Sequence, residues 1–289
     1  MPFDPAFTRT LEALNLLARR LLVGEEHAER RTPRRGASIE FADYRRYAPG
    51  DEIRYIDWNV YARHGSLFVK EFTAEEDVHV AILLDTSNSM AFGSKFQAAV
   101  EITAALGYIG LVNFDTVSLF SFGNALRLHK KYLRGKGSIF ELLAALDALK
   151  PDGPSDWSAA LAAPLVRLKG RSLVILVSDF YDPSYAAAIS HLLAQRHQVN
   201  LVHLVAREEL EPGGRGRARL VDLESGRERD VPLTPGVLDQ YRRRFQAYCS
   251  EIESFATKGE LFYARVSSDD PLEKRVRELL KRGGILEHR

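Results

Sequence analysis

The chain has 289 residues, with 40 basic and 39 acidic side chains and a net charge of +1. This balance argues against a nucleic-acid-binding protein, which carries an excess of Lys and Arg. The single cysteine, Cys249, excludes an intramolecular disulfide and favours a reducing compartment. No stretch approaches the roughly 20 apolar residues of a membrane span, and the N-terminus does not resemble a signal peptide. We therefore expect a cytoplasmic protein without a membrane span.

The chain is predicted to begin with a helix and a strand-containing region. Apolar residues recur at helical spacing at Phe7, Leu11, Leu14, Ala18 and Leu21. A polar stretch over residues 24–38 predicts a loop, and residues 39–72 are strand-like with a sharp turn at Pro49-Gly50-Asp51. We expect residues 1–77 to form an N-terminal region and residues 78–289 to form the main domain.

From residue 78 onward, strand-like runs alternate with helical stretches. Strands are predicted at 78–84, 117–122, 173–177, 200–205 and 261–266. Helices are predicted at 95–112, 138–149, 157–168, 185–196, 236–257 and 271–281. Several strands are apolar on both faces, as parallel strands covered by helices must be. This alternation predicts an α/β fold with a doubly wound, mostly parallel sheet flanked by helices.

Two antiparallel pairs are expected in addition. Residues 126–133 follow the strand 117–122 after Gly123-Asn124, a separation short enough for a hairpin. Residues 220–233 resemble a second hairpin that turns at Ser225-Gly226. The segment before it, residues 207–219, contains Pro-Gly-Gly and predicts a mobile surface loop.

Acidic and hydroxyl side chains follow two predicted strands and precede one predicted helix. They are Asp85, Ser87 and Ser89, then Ser155 and Asp156, then Ser178 and Asp179. In an open α/β sheet, ligands bind at the carboxyl ends of the strands. If the three strands and loops are neighbours, these side chains converge there.

The type of these side chains indicates which ligand they would bind. Hydroxyl and carboxylate oxygens suit a hard cation such as Mg²⁺, whereas zinc would need His or Cys at ligand spacing. A serine nucleophile would need a base, and no His is placed by sequence to act as one. The alternative interpretation of Asp-x-Ser-x-Ser is a helix-capping turn, in which Asp and Ser are common.

The segments LLDTSNSM, GPSD and VSDF resemble the metal-ion-dependent adhesion site of von Willebrand factor type A domains. The resemblance extends from Val78 to the C-terminus. It implies direct metal contacts from Ser87, Ser89 and Ser155. It also implies that Asp85 and Asp179 bind the metal directly or through water. The metal would be Mg²⁺, with Mn²⁺ or Ca²⁺ as alternatives. The family usually has Thr where this chain has Ser155, so Asp156 is kept as an alternative ligand.

The stretch from Phe41 to Phe72 resembles the signature of the bacterial family called domain of unknown function 58. Its Tyr-x-Pro-Gly-Asp, Arg-x-Ile-Asp-Trp and Ala-Arg elements are all present. Such proteins are commonly encoded beside MoxR-type AAA+ ATPases, which implies a partnership with one. Within the signature, ion pairs are expected from Arg54, Asp57 and Arg63, while Trp58 is expected to pack. The block is either a structural brace or a partner-contact surface.

The resemblances imply a non-enzymatic, metal-dependent protein–protein interaction module. A protein partner, expected to be an AAA+ ATPase, would donate a Glu or Asp to the metal. Two alternatives remain. One is a metal-free docking scaffold. The other is a haloacid-dehalogenase-type phosphohydrolase with Asp85 as nucleophile. That mechanism requires an Asp at the position where the chain has Ser87. It also requires a lysine, for which Lys95 is the candidate.

Overall fold

The computed structural model describes residues 5–24, 39–74, 79–113, 116–162, 172–214, 216–281 and residue 285. The helices are α1 Pro5–Gly24, α2 Trp58–His64, α3 Lys95–Val112, α4 Ile139–Asp147, α5 Trp157–Ala162, α6 Tyr185–Ala194, α7 Arg207–Leu210, α8 Pro235–Lys258 and α9 Leu272–Lys281. The strands are β1 Ile39–Arg46, β2 Phe68–Ala74, β3 His79–Asp85, β4 Thr116–Phe122, β5 Arg127–Arg134, β6 Leu173–Ser178, β7 Gln198–Val205, β8 Gly216–Val221, β9 Glu228–Leu233 and β10 Phe262–Ser267. Within these ranges, every helix is too short or too polar to span a bilayer.

The chain divides into two compact units, residues 1–27 with 78–289, and residues 28–77. We expected α1 to belong with the strands of residues 39–72, whereas the structure groups it with the large sheet. Leu11, Leu14 and Ala18 are buried in the core that α3 and α9 share. Because an amphipathic helix needs another apolar surface to cover its own, α1 packs where the larger core is.

The large sheet has six strands in the order β10-β7-β6-β3-β4-β5. All neighbouring pairs are parallel except β4 and β5, which are antiparallel as predicted. Every residue of β3 and of β6 is buried, as expected for central strands covered on both faces. The predicted α/β class with a mostly parallel sheet is therefore confirmed.

Helices cover both faces of this sheet, and successive residues of β3 point to opposite layers. Ile82 and Leu84 belong to the core cluster formed with α1, α3, α4 and α9. Ala81 and Leu83 belong to the cluster formed with α5, α6 and α8. This alternation follows from the two-residue period of a strand, and it leaves the strand ends as the accessible edge of the sheet.

The order in which the strands are laid down creates a crevice beside β3. The chain leaves β3 for β4 and β5 on one side, then returns on the other side as β6, β7 and β10. The carboxyl ends of β3 and β6 therefore flank the point where the strand order reverses. In open α/β sheets this is the place where ligands bind.

The unit of residues 28–77 contains a β1–β2 hairpin-like pair and the unpredicted helix α2. The carboxylate of Asp57 caps α2, because its Oδ1 accepts the backbone N–H of Asn59 at 2.9 Å. Arg54 forms an ion pair with Glu52, so one expected charge contact is local. Trp58 was expected to pack: its ring contacts that of Tyr61 edge to face, with ring centroids 6.2 Å apart, while 59% of its surface is exposed.

The segment expected to be a mobile loop over residues 207–219 is partly regular. It contains the single turn of α7 and the first residues of β8, which pairs with β9 from Gly216↔Leu233 to Val221↔Glu228. The carboxylate of Glu209 closes the turn of α7 by accepting the N–H of Ala206 at 2.7 Å. The predicted loop 24–38 lies outside the described residues except for its first residue, as do residues 163–168 of the helix predicted over 157–168.

Candidate metal-binding site

Asp85, the last residue of β3, joins the carboxyl ends of two neighbouring strands. Its Oδ2 accepts the hydroxyl of Ser178, the last residue of β6, at 2.5 Å. Its Oδ1 accepts the backbone N–H of Ser87 at 2.8 Å. The side chain is only 1% exposed. Asp85 is thus fixed in the crevice where the strand order reverses.

Burial makes the negative charge of Asp85 costly. It raises the pKa of this carboxyl to about 7, and the neighbouring charge of Asp179 adds to the effect, while hydrogen bonds from Ser178 and Ser87 oppose it. A cation beside the two acids would lower the cost of ionising Asp85. The electrostatics of the site therefore suit a bound positive charge.

The turn after β3 brings two serine hydroxyls to a second acid. The Oγ atoms of Ser87 and Ser89 lie 3.1 Å apart, and both side chains are buried. Ser89 donates its hydroxyl to Asp179 Oδ1 at 3.1 Å. A short 3₁₀ turn over Asn88–Ala91 follows β3 and holds the hydroxyls side by side. Four of the five predicted ligands are thus connected by direct hydrogen bonds.

Ser155 lies in a loop that is bonded to the turn after β3. The N–H of Asn88 donates to the carbonyl of Gly153 at 2.9 Å. The hydroxyl of Ser155, however, donates to Asp182 Oδ2 at 3.1 Å. Asp156, the alternative ligand, is exposed and caps α5 by accepting an N–H at 2.9 Å. Among the residues that the structure describes, neither Ser155 nor Asp156 is hydrogen-bonded to any of the other four predicted ligands.

Asp182 is a site residue that the sequence analysis did not single out. It accepts the hydroxyl of Ser184 at 2.6 Å and the N–H of Trp157 at 2.9 Å, besides the hydroxyl of Ser155. Burial opposes its ionisation, but these hydrogen bonds lower the pKa of Asp182 below its usual value. Its position just before Pro-Ser at the start of a helix is the signal that would have identified it.

Lys95, the first residue of α3, is a buried cation next to the site. Its Nζ lies 2.7 Å from Asp179 Oδ2 and 2.7 Å from Glu209 Oε1. Asp179 therefore presents one oxygen to a lysine and the other to Ser89. The hydrolase alternative needs this lysine for catalysis beside Asp85, and here it is bonded to the two other acids. A basic residue in the first turn of an apolar helix was the available sequence signal, since that turn normally favours acids.

The donor set is composed of oxygen atoms. Within the described ranges, no group of three or more His, Cys, Asp or Glu side chains is arranged to hold a metal ion. A metal at this position would therefore depend on the serine hydroxyls as well as on Asp85 and Asp179. Neutral hydroxyls with one or two carboxylates fit a hard divalent cation and do not fit zinc in its usual nitrogen and sulfur site.

The fold and the site define a class: an α/β sheet protein with an oxygen-donor site at its topological switch point. Comparison of the sequence with known families identifies the family. The chain belongs to the family described as Protein of unknown function DUF58, whose model matches residues 43–253. The family predicted from the signature around residues 41–72 is thus confirmed.

Similar proteins are found both by sequence and by structure. The chain is 24% identical over 257 residues to the uncharacterized protein Rv1480 of Mycobacterium tuberculosis. The matched region covers 86% of this chain and 81% of the relative. A structure of the conserved hypothetical protein BatB from Bacteroides thetaiotaomicron has 16% identity and a TM-score of 0.43, covering 70% of this chain and 97% of that chain. A von Willebrand factor type A structure from Catenulispora acidiphila has 15% identity and a TM-score of 0.41, covering 74% and 43%.

Proposed function

We propose that this chain is a non-enzymatic protein–protein interaction module whose site binds a divalent cation and, through it, an acidic side chain of a partner. The proposed ligands are Asp85, Ser87, Ser89, Ser155 and Asp179. The observation that carries the proposal is the hydrogen-bonded cluster of two hydroxyls and two buried carboxylates at the switch point of the sheet. Mg²⁺ is the proposed ion, with Mn²⁺ and Ca²⁺ as alternatives.

Each side chain of the site would have a different role in holding a cation. Ser87 and Ser89 provide neutral oxygens, while Ser178 orients the carboxylate of Asp85. Lys95 holds one oxygen of Asp179 and leaves the other directed at Ser89. A bound cation would supply a positive charge that the neutral hydroxyls compensate poorly. The carboxylate of a partner is then attracted strongly because the surroundings are partly desolvated.

The proposed partner is a MoxR-type AAA+ ATPase that presents a Glu or Asp. Support for this comes from family membership, because relatives of this family are commonly encoded beside such ATPases. The chemistry of the site requires only that the partner's acid lie on an accessible loop or turn. The partner's affinity is then linked to the concentration of the metal.

Calorimetric titration of Mg²⁺ and, separately, Mn²⁺ into chelator-treated protein tests the metal site. We expect saturable binding at one ion per chain, lost in Asp85→Ala and in Ser87→Ala. Ser94→Ala is the matched control, because its hydroxyl donates to Ser268 at 2.8 Å and lies outside the cluster. Unchanged metal binding in both site variants would show that the ion binds elsewhere on the chain.

Lys95 gives a specific reason to test metal-free docking as a second function. Its ammonium group already compensates Asp179 and Glu209 without any metal. On this alternative the same crevice would bind a partner directly. A partner captured equally well in chelator and in Mg²⁺, and captured by Asp85→Ala, would favour the metal-free scaffold.

A further inference from the structure

The tip of the β8–β9 hairpin places a carboxylate of this same chain on the candidate site. Glu224 Oε1 accepts the backbone N–H of Ser89 at 2.9 Å, and Oε2 accepts the N–H of Ser155 at 3.0 Å. Ser89 and Ser155 belong to two different loops, which lie 135 and 69 residues from Glu224 in the sequence. One carboxylate thus bridges the two loops that carry proposed metal ligands.

The turn that carries Glu224 is ordered by its own side chains. Asp222 Oδ1 accepts the N–H groups of Glu224 and Ser225 at 2.9 and 3.2 Å, and its Oδ2 accepts the Ser225 hydroxyl at 2.8 Å. Gly226 has a φ of 68°, a left-handed conformation that glycine adopts without strain. These contacts within the turn therefore hold Glu224 in a defined position at the site.

Glu224 is also the residue that holds the hairpin tip. From Leu220 to Asp230 it is the one half-buried residue, and all the others are exposed. The apolar side chains of the tip, Leu220, Val221 and Leu223, are 53%, 51% and 41% exposed. The tip is consequently attached by hydrogen bonds to one carboxylate, with little apolar burial to keep it in place.

We propose that Glu224 is an internal ligand of the site, which competes with the acidic side chain of a protein partner. This inference rests on the function proposed above, in which the partner also presents a carboxylate. Ser89 and Ser155 belong to the loops that would hold the cation, and Glu224 already bridges these loops, so a partner carboxylate that approaches the cation meets Glu224 there. Partner binding therefore requires the hairpin tip to move away from the site. Without a partner, Glu224 of the same chain occupies the site.

Tethering decides the strength of this competition. A ligand on the same chain acts at an effective concentration of the order of millimolar, so a single free carboxylate displaces it poorly. A partner must add contacts elsewhere to release the tip. Removing the charge of Glu224 should weaken the internal ligand and leave the same site available to an acidic probe.

Limited trypsin digestion of the full chain in chelator tests the attachment of the tip. Arg227 lies in the turn, so the rate of cleavage after it reports release. We expect Glu224→Gln to raise this rate about tenfold, because a charge-assisted contact is replaced by a weaker neutral one. Asp230→Asn is the matched control: it removes an exposed acid from the same hairpin, one that pairs with Arg219 at 3.3 Å. Equal rates in the two variants would refute the attachment.

Binding of a cyclised peptide of residues 217–231 in Mg²⁺ tests the competition. We expect this peptide to bind Glu224→Gln protein at least fivefold more tightly than the wild-type chain, and a Glu224→Gln peptide to lose that binding. Equal binding of the peptide to both proteins would overturn the competition. Absence of metal binding by calorimetry together with faster cleavage would refute metal dependence and leave the internal ligand standing. Metal binding without faster cleavage would support the metal site and refute Glu224 as an internal ligand.

Discussion

Replacing Lys95 by Met should be one of the most destabilising single changes in this protein. The side chain of Lys95 is 1% exposed, and its ammonium group lies 2.7 Å from both Asp179 and Glu209. Met fills a similar volume but leaves two buried carboxylates without their cation. The main cost is therefore electrostatic, since little packing is lost.

The expected size of the loss follows from the burial of the partners. Breaking a buried ion pair by removing one partner costs about 3–5 kcal/mol, and we expect the upper end because two acids lose their cation. In a chain of this size, a loss of about 5 kcal/mol lowers the melting temperature by about 10–20 °C. Lys130→Met is the matched control, because Lys130 pairs with Glu141 at 3.1 Å on the surface. An exposed pair of this kind contributes at most about 1 kcal/mol.

Urea unfolding and thermal melting in chelator, followed by circular dichroism, measure both losses. If Lys95→Met costs no more than Lys130→Met, the two acids are not held by that lysine. The same variant also reports on cations. If the site binds Mg²⁺, a concentration one hundred times the dissociation constant should restore about 2.7 kcal/mol.

Two further predictions concern the core. Leu14→Ala should lower the free energy of unfolding of the sheet unit by about 2–5 kcal/mol, because Leu14 is buried in its core, whereas exposed Leu16→Ala should change it by less than about 0.5 kcal/mol. Equal effects in urea melts would contradict the placement of α1. Burial, together with the charges of His197 and Lys131, lowers the pKa of His79 from 6.5 to about 4. Between these two pH values, His79 binds a proton in the unfolded chain but not in the folded chain. His79 by itself should lower the free energy of unfolding by about 3 kcal/mol as pH drops through this window, and His79→Gln should reduce the fall measured by urea unfolding by that amount.

Much of the fold was predictable because its signals are local. The run before Asp85 is apolar at every position, which indicates a strand covered on both faces, and the structure confirms β3 as such a strand. Helix α3 was predicted with the bounds that it has, since its apolar residues follow a polar turn. The family signature around residues 41–72 was also readable, because it is a contiguous pattern of residue types.

Helix α2 and the turn of α7 were missed for an equally local reason. Both are short and depend on a single carboxylate, Asp57 or Glu209, that accepts backbone N–H groups. Such capping contacts outweigh a weak sequence pattern over one or two turns. Trp58 packs against Tyr61 within α2 but stays largely exposed, because an aromatic residue in a short helix carries no signal of which face is covered.

The sequence by itself determined which chemical groups stand at the ends of the strands, because a buried strand and its polar end are adjacent along the chain. Only the tertiary structure decided which of those groups meet. Lys95 reaches Asp179 and Glu209 across 84 and 114 residues, and Glu224 reaches Ser89 across 135. Contacts at such separations depend on strand order and loop closure, which no local pattern encodes. Asp85 and its serines were therefore foreseeable, whereas the contacts that Lys95 and Glu224 make with the site were not.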